Sequence, residues 1–291
     1  MTALRDTARA KLNLTLEVLG RRADGLHELR SLVAFAELGD WVAFKPGSEL
    51  LLAIEGPFAG ALEGDNLVLA AAKAVKAAAP TIELGQFRLA KMLPVAAGLG
   101  GGSADAAATL RLLARANPGA LAPAVLAELA AKLGSDVTVC LESRPALMSG
   151  RGERVAAVRG MPGCGVVLVN PRLPLATVAV YGALKASPLS ESRHGATEIP
   201  AFGGCFEQLI AYAQARANDL EPTASRLVPA IGEAIGALKA VEGARLVRQA
   251  GSGPTCFALF ASADEAESAA ATVAAANPSW WVAASTILPS G

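Results

Sequence analysis

One stretch constrains the folding of this chain more than any other: Pro94-Val95-Ala96-Ala97-Gly98-Leu99-Gly100-Gly101-Gly102-Ser103-Ala104-Asp105. Its uncharged loop, residues 92–102, lies between a strand-like segment, residues 82–89, and a helix predicted over residues 103–116 and closed by Asn117-Pro118-Gly119. Glycines lack a Cβ, so successive backbone N–H groups can turn inward around an anion, and the helix behind them adds the positive end of its dipole. Strand, glycine loop and helix together make a phosphate cradle. The nearest rival templates fail. No Gly-Lys-Ser or Gly-Lys-Thr follows, as a Walker A loop requires, and Ser103 stands where a dinucleotide fingerprint beginning at Gly98 needs its last glycine. A flexible linker fits poorly, because residues 104–113 continue directly as an amphipathic helix.

Around this centre the patterning is α+β. Residues 10–18 alternate, with Ala10, Leu12, Leu14, Leu16 and Val18 on one face and Lys11, Asn13, Thr15 and Glu17 on the other, which predicts a half-buried strand with Lys11 and Asn13 side by side. Residues 29–36 and 41–45 read as two strands parted by a Gly39-Asp40 break, and residues 50–54 as another. Asp65 or Asn66 caps an Ala-rich helix reaching about Ala79. A further helix over residues 122–133 ends at Gly134, before Ser135-Asp136-Val137. Gly150-Arg151-Gly152 is a turn between short strands, and the boundary between domains 1–152 and 153–291 is placed there. Beyond it come a strand over 165–169, a short helix capped by Thr177 and containing Tyr181, a loop-like stretch over 187–204, two helices, a strand over 245–249, the loop Gly251-Ser252-Gly253 and a strand over 255–261. No internal repeat is present in the sequence.

Composition excludes several classes. The 26 basic and 26 acidic side chains cancel, which opposes nucleic-acid binding, since phosphate-backbone affinity needs an excess of Lys and Arg. Hydrophobic residues at 53% supply ample core and exclude general disorder. Residues 268–291 carry no charge, but Asn277-Pro278-Ser279 interrupts them, so they read as helix, turn and strand and no membrane contact is expected. Residues 1–9 include Arg5, Asp6 and Arg9 and lack the layout of a signal peptide, so a cytoplasmic protein is expected. Cys140, Cys164, Cys205 and Cys256 share no short metal or redox spacing and read as small buried hydrophobes. With His27 and His194 as the two imidazoles, no structural metal site is expected.

Taken singly, Asp136 is an ordinary turn or capping residue, Lys11 a solvated strand residue and Gly251-Ser252-Gly253 a common turn. Together they change weight, because the chain resembles the GHMP kinase superfamily over nearly its full length. The residues carrying the resemblance are Ala10-Lys11-Leu12-Asn13-Leu14, Arg22-Ala23-Asp24-Gly25-Leu26-His27-Glu28-Leu29, Gly98-Leu99-Gly100-Gly101-Gly102-Ser103, Gly134-Ser135-Asp136-Val137, Asn218-Asp219-Leu220-Glu221 and Gly251-Ser252-Gly253-Pro254-Thr255-Cys256. The Lys-x-Asn strand and the Asp-Gly-x-His segment narrow it to the branch acting on 4-diphosphocytidyl-2-C-methyl-D-erythritol.

The resemblance implies an N-terminal domain of the ribosomal-S5 type, a C-terminal α/β sandwich domain, and ATP-dependent phosphorylation of that substrate's 2-hydroxyl. It implies that ATP phosphates lie on Pro94 to Ala104 and that Mg²⁺ accompanies ATP, with Ser103 the one side chain suggested for a phosphate oxygen or the metal and no further protein ligand assigned. The resemblance further implies that Asp136 takes the proton of the hydroxyl with Lys11 beside it, and that Asn66 and Lys91 contact the adenosine end. It also implies that Asn13 contacts the methylerythritol end, and that His27 with Tyr181, following Thr177, holds the cytidine. A residue-level reading agrees: phosphoryl transfer needs positioning and charge neutralisation, which a carboxylate and an ammonium supply. The expected assembly is a monomer or weak homodimer. Homoserine or mevalonate kinases are the sibling alternatives, and a non-catalytic nucleic-acid binder, sharing the N-terminal fold, is opposed by neutrality. Two positions depart from the family pattern. Leu26 stands where Tyr is usual, removing one aromatic wall, and Asp105 where Asn is common, so Asp105 is expected to point away from bound phosphate.

Overall fold

A computed structural model describes residues 3–62, 64–190 and 198–291; His194 and residues 191–197 of the loop-like stretch lie outside the described residues. The elements run β1 (Leu4–Asn13), β2 (Glu17–Arg21), β3 (His27–Lys45), β4 (Leu51–Glu55), α1 (Leu67–Ala78), β5 (Gln86–Ala90), α2 (Gly101–Ala116), α3 (Pro123–Leu133), α4 (Ser135–Glu142), β6 (Ala146–Gly150), β7 (Arg154–Ala157) and β8 (Cys164–Asn170). They continue with α5 (Thr177–Leu184), α6 (Phe206–Gln214), α7 (Glu221–Leu227), α8 (Ala230–Lys239), β9 (Leu246–Gln249), β10 (Cys256–Phe260), α9 (Ala263–Ala276) and β11 (Trp281–Ile287). The α+β expectation holds. The chain forms two compact units, one of Met1–Lys11, Gly39–Val95 and Gly100–Ser143, the other of Leu12–Leu38, Ala96–Leu99 and Arg144–Gly291. These units are discontinuous in sequence, whereas a single cut near residue 152 was expected; β1 and β3 each supply residues to both.

In the first unit, Trp41–Lys45 pairs antiparallel with β5, and β5 pairs parallel with β4. Helices α1 to α4 pack on one another. Asn66 caps α1 by accepting from Val68 N at 2.8 Å, and Val68, Ala71, Ala72 and Val75 form the buried stripe that its spacing predicts. In α2 the buried side are alanines together with Leu110, Leu112 and Leu113, whose small neighbours let α1 and α4 approach closely.

In the second unit, β8 lies between β10 and β11, both antiparallel to it, and all seven of its residues are buried. Such a strand reads as a continuous apolar run because both faces are covered. β9 pairs with β10, while β6 pairs with Leu29–Val33 and with β7. Val167, Val169, Ile231, Leu238, Phe260, Ala266 and Val273 are among the core that α8 and α9 close over these strands. The charge-free tail is α9, a turn and β11, and among the described residues no helix is long and apolar enough to cross a membrane. All four cysteines are free, and burial pushes the thiols of Cys140 and Cys164 up to about 12, leaving them inert.

Several sequence expectations change. β3 is one 19-residue strand, with no break at Gly39-Asp40. Gly39 is there for close approach: a Cβ would lie 2.7 Å from Arg9 Cα and against the Ala8 carbonyl of β1. The strand expected over 10–18 is divided, because Leu14 N and Thr15 N both reach Leu32 O, at 2.8 and 3.4 Å, and the ladder slips before β2. The strand expected from Ile82 begins only at Gln86, after Gly85 turns with φ 72°. Three helices, not two, lie between Cys205 and Arg245, since Pro229 ends the run of α7 before α8. Ser135-Asp136-Val137 is the first turn of α4 rather than a connecting turn.

Candidate active site

The first unit brings together Lys11, at the end of β1, and Asp136, the second residue of α4. Lys11 Nζ donates to Asp136 Oδ2 at 2.9 Å. The lysine side chain is 5% exposed and the aspartate 39%, so a shielded ammonium faces a carboxylate that solvent or a ligand can reach. Gly100 makes room for this pair. Its φ is +65°, and a Cβ there would lie 3.4 Å from Lys11 Cβ and 3.5 Å from Lys11 Cε. Gly100 is also the N-cap of α2 and offers no side chain to cap it, so no side chain takes up the amides of the first turn, Gly101-Gly102-Ser103. Ala104 N closes the first helical bond onto Gly100 O at 2.8 Å. This uncapped turn suits an anionic oxygen, and of the expected loop residues Pro94 and Val95 share its unit.

Lys91, expected at adenosine, is 2% exposed and its ammonium is held between two buried carboxylates, Asp40 and Asp105 at 2.9 Å. Asp40 Oδ1 also accepts from Met92 N and Leu93 N, at 2.6 and 2.8 Å. Burial lowers the proton affinity of Lys91, but the two carboxylates outweigh it and the net direction is upward. Asp105 turns toward Lys91. Asn66, the other expected adenosine contact, uses its side-chain oxygen as the α1 cap.

The second unit holds the remaining loop residues, Ala96, Ala97, Gly98 and Leu99. Thr255 N donates to Ala97 O at 3.2 Å. Gly98 has φ +76°, and a Cβ there would press on the carbonyl oxygens of Ala250 and Gly253. The Gly251-Ser252-Gly253 turn is thus the floor on which this part of the loop rests.

The same unit places His27, opening β3, 4.9 Å centroid to centroid from Tyr181 of α5, tilted by 32°. Burial first, and then the nearby Arg21, lower the His27 pKa, which keeps its imidazole neutral near pH 7 with one nitrogen free of a proton. Leu26 is 46% exposed beside it. Asn13 donates to Ser31 Oγ at 2.8 Å, while its buried Oδ1 has no partner. Thr177 does not cap α5. Ala176 is the N-cap without a side-chain bond, and Thr177 Oγ1 instead lies 2.7 Å from Ser252 Oγ.

Some residues escaped a role in the sequence. Asn218 Nδ2 donates to Gln249 O and Gly251 O, at 2.9 and 2.8 Å, and so braces the turn beneath Gly98. Asp219 accepts from Val18 N at 2.7 Å and Glu221 from Gln249 N at 2.9 Å. Asp40 entered the sequence reading only as part of the Gly39-Asp40 break. The described residues contain no group of three or more His, Cys, Asp or Glu arranged to hold a metal ion.

A glycine-lined helix start beside a lysine–aspartate pair is the equipment of a phosphoryl-transfer enzyme. Comparison with known proteins agrees. Residues 66–144 match the family described as GHMP kinases N terminal domain, and residues 199–279 that described as GHMP kinases C terminal. The chain is 47% identical to the 4-diphosphocytidyl-2-C-methyl-D-erythritol kinase of Rhodopseudomonas palustris strain CGA009, over 98% of this chain and 97% of that protein. It is likewise 47% identical to the kinase of that name in Parvibaculum lavamentivorans, over 95% and 96%. A crystal structure of 4-(cytidine 5'-diphospho)-2C-methyl-D-erythritol kinase superposes with a TM-score of 0.76 at 34% identity, covering 98% of this chain and 99% of that one. Homoserine kinase from Cytophaga hutchinsonii, at 19% identity and a TM-score of 0.74 over 100% and 96%, shares the fold. The chain belongs to the GHMP kinases, in the family of 4-diphosphocytidyl-2-C-methyl-D-erythritol kinases.

Proposed function

We propose that this chain transfers the γ-phosphoryl group of ATP to the 2-hydroxyl of 4-diphosphocytidyl-2-C-methyl-D-erythritol, giving the 2-phosphate and ADP in the non-mevalonate route to isoprenoid precursors. The observation that carries this reading is the 2.9 Å Lys11–Asp136 pair, seated against the glycine that opens α2. Asp136 orients the hydroxyl and accepts its proton as the new O–P bond forms and the bond to the ADP oxygen breaks. Lys11 steadies the negative charge that develops on the transferred group, from a shielded position where its field is little screened. The first-turn amides of α2 hold ATP phosphate oxygens, and Mg²⁺ arrives on those phosphates as part of the nucleotide substrate.

In the second unit His27 and Tyr181 take the cytidine, the neutral imidazole offering one donor and one acceptor to a base edge. Leu26 supplies apolar contact in place of an aromatic ring. Asn13 Oδ1 accepts from a hydroxyl of the methylerythritol. Phosphorus NMR of the purified protein with ATP, Mg²⁺ and the substrate, run beside Asp136→Asn, tests the proposal. A new phosphate-ester signal with one ADP per ester, absent from the variant, supports it. No ester from folded, ATP-binding protein would refute the substrate assignment.

A further inference from the structure

Under the first turn of α2 lies a buried cluster that the transfer chemistry leaves unused. Lys91 Nζ sits between Asp40 Oδ2 and Asp105 Oδ2, and the three side chains are 3%, 0% and 5% exposed. Asp40 belongs to β3 and holds the backbone amides of Met92 and Leu93, where the glycine loop begins. Asp105 belongs to α2, where the loop ends. Asp40, Lys91 and Asp105 therefore tie the entrance of the loop to its exit. Gly101 rests on this cluster: a Cβ there would lie 3.4 Å from both Asp40 Oδ2 and Lys91 Nζ. The side of Gly101 that lacks a side chain thus faces the ion cluster.

The cluster is also unbalanced. Two carboxylates share one ammonium, and Asp105 Oδ1 is buried without a hydrogen-bond partner. A buried orphan oxygen on an ion pair is costly unless something occupies it, and a proton is the smallest occupant.

We propose that Asp105 is a positioning residue for nucleotide binding: through Lys91 and Asp40 it fixes the first turn of α2 against the start of the loop, and it takes up a proton as phosphates settle on that turn. This rests on the kinase reading above. Phosphate charge arriving over a net-negative cluster disfavours the ionised carboxylate, and by linkage protonation of Asp105 tightens phosphate binding by the same factor. Asp105 is poised for this. Burial, and then Asp40, push its carboxyl up to about 7 against the opposing pull of Lys91. Lys91, at the end of β5, and Asp40 of β3 are the charged groups bearing on it; Cys140 of α4, which feels the Asp105 charge, stays a neutral thiol with its pKa pushed up to about 12.

Steady-state kinetics and calorimetric nucleotide binding on the full chain, with Mg²⁺ saturating so that the nucleotide itself does not titrate, test the proposal. Asp105→Ala is expected to raise the ATP KM by about tenfold or more, while kcat and the KM of the alcohol substrate move by less than about threefold. Asp105→Asn keeps an oxygen for Lys91 and is expected to restore the ATP KM to within about threefold. Binding heats in two buffers of different ionisation enthalpy should show fractional proton uptake near neutral pH in the wild type and none in Asp105→Asn. Equal rises in both substrates' KM, or a wild-type ATP KM in Asp105→Ala, would reduce Asp105 to fold stability. Equal proton counts in wild type and Asp105→Asn would overturn the uptake, and this comparison stands even if Asp105→Ala does not fold. Nucleotide binding without turnover by the wild type would sink the kinase reading instead, with the calorimetric test of Asp105 still decisive.

Discussion

Replacing Asp136 by Asn removes the proton acceptor while leaving the shape of the site. The carboxamide oxygen can still accept from Lys11 Nζ, now 2.9 Å from Oδ2, but a neutral amide takes no proton from a hydroxyl. A positioned base contributes about 10²- to 10⁴-fold, so kcat should fall by that factor, or about 3–5 kcal/mol of barrier. The ion pair itself is a separate matter. Two charges 2.9 Å apart attract by about 6 kcal/mol at an effective dielectric of about 20. Asp136 is 39% exposed, so solvent screening and the retained amide oxygen reduce the stability loss to about 1–2 kcal/mol. For a chain of this size that lowers Tm by about 2–6 °C, and the variant remains folded at assay temperature. ADP release measured with both substrates saturating, together with ATP binding by calorimetry, separates the two effects. Turnover within about tenfold of wild type would remove Asp136 as the base, and a collapse of ATP affinity in parallel with kcat would make the pair structural.

Other expectations reach different parts of the molecule. His27→Ala removes the ring stacked 4.9 Å from Tyr181 and should raise the KM of the cytidine-bearing substrate by about tenfold while sparing ATP; a shift in the ATP KM instead would place His27 elsewhere. Gly98→Ala puts a Cβ against the Ala250 and Gly253 carbonyls at φ +76°, and chemical denaturation should show a loss of at least about 2 kcal/mol; an unchanged midpoint would refute that packing. The raised carboxyl of Asp105 also predicts a pH effect on stability. Between its unfolded value near 4 and its folded value of about 7, the folded state holds the extra proton, so this group makes stability fall as pH rises through that window. Urea midpoints near pH 5.5 and pH 8 should therefore differ less in Asp105→Asn than in wild type, and identical differences would contradict the shift.

Local signals foretold much of this molecule. The glycine loop running into α2, the Asn66 cap of α1, the β6–β7 turn at Gly150-Arg151-Gly152 and the helix–turn–strand tail follow from glycine conformational freedom, capping chemistry and hydrophobic period. Each is decided within a dozen residues, so the sequence by itself determined them. Lys11, Asp136 and His27 were singled out as well, through motif resemblance, whereas their partners depend on distance in the fold. Lys11 and Asp136 lie 125 positions apart and meet only in the fold, where both fall in one unit. Tertiary packing alone decided the rest. Gly39 looks like a turn until β1 lies against it, and Thr177 looks like a cap until Ser252 takes its hydroxyl. Asp40 and Asp105 reach the Lys91 ammonium from 51 and 14 positions away. In each case a side chain or backbone preference of about 1 kcal/mol meets a long-range contact worth as much or more, and buried charge is the strongest of these, because away from water it must find a partner wherever the fold supplies one.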